Sequence, residues 1–116
     1  MSTMERVRRA TLGAERWEAC VTSDGRTIGE AEWLRRRTDE GWSHTAMLWR
    51  CEPMSFDYVF PGDESFLVIS GAVTIELTES GETVELRQGD LASFPKGTPS
   101  VWTVVEPLEK FTVVSG

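Results

Sequence analysis

Glu64, with Tyr58 six residues ahead of it, is the pair in this chain with the most chemical promise. A carboxylate beside a phenol can exchange protons with a ligand or anchor an amine or hydroxyl. Ser100 adds a hydroxyl, and Trp49, Phe60 and Trp102 add rings that can stack on a ligand or hold a cation on a ring face. Other chemistries lack parts. The chain has one histidine, His44, far from Ser100 in sequence and just ahead of a predicted strand, and a serine hydrolase mechanism is not expected. Cys20 and Cys51 have no C-x-x-C spacing and give neither a redox nor a zinc signature.

These residues must be held by strands. After Gly41 the composition changes from charged and irregular to short β-rich runs separated by turn residues. Runs at 45–51, 57–60, 65–70, 72–78, 83–87, 91–94, 100–105 and 110–114 are predicted strands, with breaks at Pro61-Gly62-Asp63, Gly71, Ser80-Gly81, Gly89-Asp90, Pro95-Lys96-Gly97 and Glu106-Pro107. In 72–78, Val73, Ile75 and Leu77 alternate with Thr74, Glu76 and Thr78, the pattern of a half-buried antiparallel strand. Val84 and Leu86 complete a predicted hairpin across Ser80-Gly81. Eight short strands at this spacing predict an all-β antiparallel sandwich or barrel. The first forty residues are less regular: 30–37 is expected as a short helix with Trp33 and Leu34 packing outward, and 17–21 as an edge strand. The expected division is an N-terminal segment, 1–41, packing on a barrel, 42–116.

The spacing narrows the fold. Tyr58, Phe60, Glu64 and Gly71, followed by Gly89, Pro95, Gly97 and Ser100, fall without insertion or deletion on the paired motifs G-x5-H-x-H-x3-4-E-x6-G and G-x5-P-x-G-x2-H-x3-N. The chain therefore resembles the cupin superfamily, whose fold is an antiparallel jelly-roll barrel (double-stranded β-helix). With FDYVFPGDES (56–65), VISG (68–71), GDLASFPKG (89–97) and WTVVEP (102–107), it is similar to the small single-domain cupins related to (S)-ureidoglycine aminohydrolase. The resemblance implies a pocket inside the barrel, where that family binds a divalent metal through histidines and a carboxylate. This sequence departs from the pattern at the ligands: Tyr58, Phe60 and Ser100 stand at the histidine positions, Glu52 replaces the first glycine and Val104 the final asparagine. A lone carboxylate is a poor transition-metal site, so no metal and no other cofactor is expected.

If the motif positions face inward, strand alternation puts Tyr58, Phe60 and Glu64 inside with Ser100, Trp102 and Val104, leaving Asp57 and Val59 outside. On 45–51 the inner set is Met47, Trp49 and Cys51, because Arg50 is costly to bury. No lysine or arginine is assigned to the interior. A carboxylate walled by Trp49, Tyr58, Phe60 and Trp102 is expected to have a raised pKa. Glu64 and Tyr58 are thus the candidate catalytic residues, and Trp49, Phe60, Ser100 and Trp102 the candidate ligand contacts.

The expected function is binding of a small polar metabolite in the barrel, with metal-independent acid–base catalysis through Glu64. The alternatives are a non-catalytic binding or sensor cupin and a divergent metal-dependent enzyme of the ureidoglycine type. Nineteen acidic against twelve basic side chains give a net charge of −7, which disfavours nucleic acid and anionic membrane surfaces as partners. The run Arg35-Arg36-Arg37 is flanked by Glu30, Glu32, Asp39 and Glu40 and reads as a solvated surface stretch. No window has the length of a signal peptide's apolar run or of a membrane span, so a cytoplasmic protein with free thiols is expected. The exposed edges of such a barrel, and the resemblance, imply a homodimer.

Overall fold

The computed structural model describes residues 7–13, 16–22 and 24–116. Among them are eight strands and no helix: β1 (Glu18–Val21), β2 (Thr27–Asp39), β3 (Trp42–Cys51), β4 (Ser55–Val59), β5 (Asp63–Leu77), β6 (Thr83–Arg87), β7 (Leu91–Phe94) and β8 (Pro99–Ser115). Every pairing is antiparallel. The hydrogen-bonded path is β1-β2-β3-β8-β5-β6, with β4 added to β8 and β7 to β5. The architecture is all-β and antiparallel, as the strand spacing predicts, and is the jelly roll that the cupin resemblance implies.

Two long strands organise it. The second half of β8 lies between β3 and β5, and its first half between β4 and β5. β5 likewise pairs with β7 through its first half and β6 through its second. Both strands therefore pass from one layer of the roll to the other. The corner is where Gly71 meets Pro107: a Cβ on Gly71, at φ +88°, would sit 2.0 Å from the Pro107 carbonyl oxygen. The β5–β8 register shifts between Val68 and Val73 at this crossing. Gly71 and Pro107 are thus bends within continuous strands and not the chain breaks their residue types suggest.

The hairpin is as read from sequence, with Val73 opposite Leu86 and Ile75 opposite Val84. Residues 30–37 are not helical. Their helix-compatible Glu, Leu and Arg are drawn into β2 by pairing with β3, which runs from Glu30 opposite Arg50 to Asp39 opposite Trp42. Glu30 and Arg50 form a cross-strand ion pair at 2.9 Å, and Arg36 lies 3.5 Å over the Trp33 ring. Trp33 packs against the core instead of turning outward. The edge strand expected at 17–21 is β1, paired with β2.

The core is aromatic. Trp102 is within 6.1 Å, centroid to centroid, of Trp49, Phe56, Tyr58, Phe60 and Phe66. Val68, Val73, Ile75, Val104 and Leu108 are among the aliphatic side chains buried with it.

Candidate functional site

A cavity of about 160 Å³ opens inside the barrel beside this cluster. Trp49, Phe56, Tyr58 and Trp102 form one wall with Met47, and Cys20, Val21, Thr22 and Ile28 of the β1–β2 hairpin form another. Glu64 and Lys110 supply its charge. A space of this size in an apolar protein interior takes a roughly benzene-sized molecule.

Glu64 enters from β5 and is 1% exposed. Its Oε1 accepts a hydrogen bond from Tyr58 Oη at 2.6 Å. Its Oε2 accepts from Lys110 Nζ at 2.8 Å and from Thr112 Oγ1 at 3.1 Å. Lys110, on β8, is 3% exposed, and its ammonium lies 4.5 Å from the Phe66 ring centroid and 5.1 Å from those of Trp49 and Trp102. A buried cation thus sits in a cage of ring faces with a carboxylate on its open side.

The expected rise in the Glu64 pKa does not occur. Burial does push the carboxyl up, but the Lys110 charge and the hydrogen bonds from Lys110, Tyr58 and Thr112 outweigh it and hold Glu64 below the usual range. The reason is Lys110, which lies in the interior where no lysine is expected from the strand pattern. Burial pushes the Lys110 ammonium in turn below its ordinary value, and Glu64 restores only part of this. Tyr58 is driven well upward, first by burial and then by the Glu64 charge and its hydrogen bond to it.

The other candidates separate. Trp49 and Trp102 line the cavity, Trp49 fixed by an indole hydrogen bond to the Ile28 carbonyl at 3.3 Å. Phe60 and Ser100 do not line it. Phe60 is buried in a stack on Phe94, with ring centroids 4.6 Å apart. Ser100 donates to the Tyr58 carbonyl at 2.7 Å and accepts from the Trp102 indole at 3.2 Å, so it orients the two residues on either side of it. His44 lies on β3 stacked on Trp42, with Nδ1 2.9 Å from Ser115 Oγ, away from the cavity lining. Cys20, whose sequence context carries no signal, does line the cavity, and burial raises its thiol pKa. Cys51 is buried and pushed up to about 11.

The sequence profile of the EutQ-like cupin domain matches residues 39–111. This chain belongs to the EutQ-like cupin domain family. Among solved structures, it is 32% identical to a DUF861-family protein from Thermotoga maritima, over 56% of this chain and 73% of that one, with a TM-score of 0.54. A protein of unknown function (DUF1255) from Acidithiobacillus ferrooxidans aligns over 97% of both chains at 18% identity and a TM-score of 0.62. The Clostridium difficile EutQ protein aligns over 75% of this chain and 62% of that one, at 21% identity and a TM-score of 0.53. The latter two similarities speak for the fold alone. A search of curated proteins found no match.

The donors in this barrel do not fit the metal that cupins of the histidine type hold. Tyr58, Phe60 and Ser100 occupy the imidazole positions, and the Lys110 ammonium already lies on the carboxylate. No cluster of three or more His, Cys, Asp or Glu side chains suited to a metal occurs among the described residues. No helix among them is long and apolar enough to cross a membrane.

Proposed function

We propose that this cupin binds a benzene-sized neutral metabolite in the barrel and performs metal-independent acid–base chemistry on it. The carrying observation is the Tyr58–Glu64–Lys110 chain of hydrogen bonds at the edge of an otherwise apolar cavity. Val21, Ile28, Met47, Phe56 and the two tryptophans suit an apolar body, while Lys110 and Tyr58 suit a single oxygen or nitrogen head. The small polar metabolite expected from sequence is narrowed to a largely apolar molecule with one polar group. The resemblance of residues 56–65 and 89–97 to the ureidoglycine aminohydrolase cupins favours a carbonyl-bearing head, handled without their metal.

In this reading Lys110 donates to the head group and Glu64 receives or returns its proton. Tyr58 fixes the orientation of the carboxylate. A non-catalytic binding module is the second reading, favoured by the saturation of both Glu64 oxygens by Tyr58, Lys110 and Thr112.

Native mass spectrometry of gently purified protein tests the site. The expected result is a co-purifying small molecule, absent from a Met47→Trp variant whose added ring fills the cavity. A ligand retained by Met47→Trp would place binding elsewhere. If the molecule is recovered chemically unchanged after prolonged incubation with the protein, the non-catalytic reading is the correct one.

A further inference from the structure

We propose that Lys110 is a nucleophile that condenses with small uncharged aldehydes or ketones, holding them in the barrel as a protonated imine. The proposal rests on the reading of the cavity as a ligand site and adds the substrate class and the bond. Three observations carry it. Lys110 borders a benzene-sized cavity; its Nζ is 2.8 Å from a carboxylate placed to relay its proton; and three aromatic rings surround the nitrogen on which the positive charge would remain. Burial, which favours the neutral amine, supports the assignment.

The chemistry closes without another reactant. Lys110 passes one proton to Glu64, and the freed lone pair forms a C–N bond to the carbonyl carbon as the C=O π pair moves to oxygen. That oxygen takes the proton back from Glu64, giving a neutral carbinolamine after a second nitrogen proton moves to the carboxylate. This second proton then reaches the hydroxyl, which leaves as water while the nitrogen lone pair forms the C=N bond. Two of the three ammonium hydrogens thus leave with the carbonyl oxygen, and the nitrogen keeps one hydrogen and its positive charge. Glu64 therefore faces a cation before and after the reaction, so the product leaves no buried charge unpaired. An apolar lining that excludes water favours the condensed form.

The chain suits a direct test because it has two lysines, Lys96 and Lys110, and Lys96 is exposed in the turn between β7 and β8. Benzaldehyde and butanal are incubated with the protein and reduced with borohydride, and the product is examined by intact mass and peptide mapping. The expected result is one reduced adduct on Lys110, formed on the order of a hundredfold faster than on Lys96. It persists in Lys96→Arg and is lost in the Lys110→Met/Glu64→Gln double variant, whose folding is checked by far-ultraviolet circular dichroism. Occupancy is followed separately through quenching of tryptophan fluorescence, since Trp49 and Trp102 line the cavity. A probe that quenches saturably without being trapped on Lys110 overturns the imine and leaves the binding site standing. If neither probe quenches and any adducts fall on Lys96 and the amino terminus alone, both the imine and the cavity's role for this ligand size are wrong.

Discussion

Lys110 Nζ and Glu64 Oε2 meet at 2.8 Å although their backbones are out of register: Lys110 lies opposite Val68 and Glu64 opposite Val114. Thr112, between them on the inner face, donates to the same carboxylate oxygen. The lysine stem therefore reaches along the strand direction, past the Phe66–Thr112 pair, and delivers its charge to a carboxylate that backbone pairing alone would leave apart. The pair is buried at both ends, so removing one partner strands the other.

Lys110→Met alone is expected to destabilise the fold by about 3–5 kcal/mol, because Glu64 would be left as an uncompensated buried charge or forced to take up a proton. Lys110→Met/Glu64→Gln should recover most of that loss. Urea unfolding of the three proteins measures both. A single variant within about 0.5 kcal/mol of the parent would mean that the pair is solvated and the cavity wetter than its lining suggests.

The acid side follows from the same pair. The folded Glu64 pKa lies below its unfolded value, so the folded state binds fewer protons here. The associated stability is fully present above the unfolded carboxyl pKa of ~4.3 and is lost as pH falls through the lower folded value. Chemical denaturation across the acid range should show this loss, with a smaller slope in the Lys110→Met/Glu64→Gln variant. An unchanged slope would remove Glu64 from the acid response.

Tyr58 gives the alkaline counterpart and, as the only tyrosine, a clean signal. Its folded pKa is raised, so the folded state keeps the proton that the unfolded chain releases above ~10, and this contribution to stability declines as pH rises past that point. Tyrosinate absorbance is expected to appear together with the loss of near-ultraviolet circular dichroism, in one step. Ionisation of Tyr58 in a protein that still shows its native dichroism would contradict the hydrogen bond to Glu64.

Gly71→Ala tests the corner. The added Cβ would lie 2.0 Å from the Pro107 carbonyl oxygen at a φ of +88°, so both a clash and backbone strain are introduced. At Gly81, φ is +76° and nothing lies within 4 Å, so Gly81→Ala carries strain alone, about 1–2 kcal/mol. Thermal unfolding should place Gly71→Ala well below Gly81→Ala. Equal midpoints would mean that the two long strands yield at their crossing.

The same corner explains what could and could not be read from the sequence. Motif spacing and the alternation of Val73, Ile75 and Leu77 were sufficient for the barrel, because one face of each strand is dry. The inward set of Tyr58, Glu64, Trp49 and Trp102 followed from the same alternation. Lys110 was hidden because a strand break read at Pro107 discards the parity that Ser100, Trp102 and Val104 establish. Carried through the bend, that parity puts Leu108, Lys110 and Thr112 inside, where they are, and leaves Phe111 more exposed. The cavity wall made by Cys20, Val21, Thr22 and Ile28 was hidden for a different reason. Its strands are specified by pairing, β1 with β2 and β2 in turn with β3, and local composition there favours no single structure.

Lys110 also changes the charge of ligand that the barrel should accept. A site holding Glu64 alone would favour amines, whereas the Glu64–Lys110 pair is neutral as it stands, and any further charge would enter without a partner. Benzamide, benzylamine and benzoate have similar size and differ in charge, so a thermal-shift comparison isolates this effect. Benzamide is expected to stabilise the protein, by ~2.7 kcal/mol at a hundred times its dissociation constant, and the two ions to produce little shift. The Glu64→Gln variant leaves an unpaired Lys110 cation, or an amine that has shed its proton, and should gain affinity for benzoate while still excluding benzylamine. If benzylamine were the best ligand of the unaltered protein, Glu64 would have to be free of Lys110 when the cavity is filled, and the ion pair would be a feature of the empty barrel only.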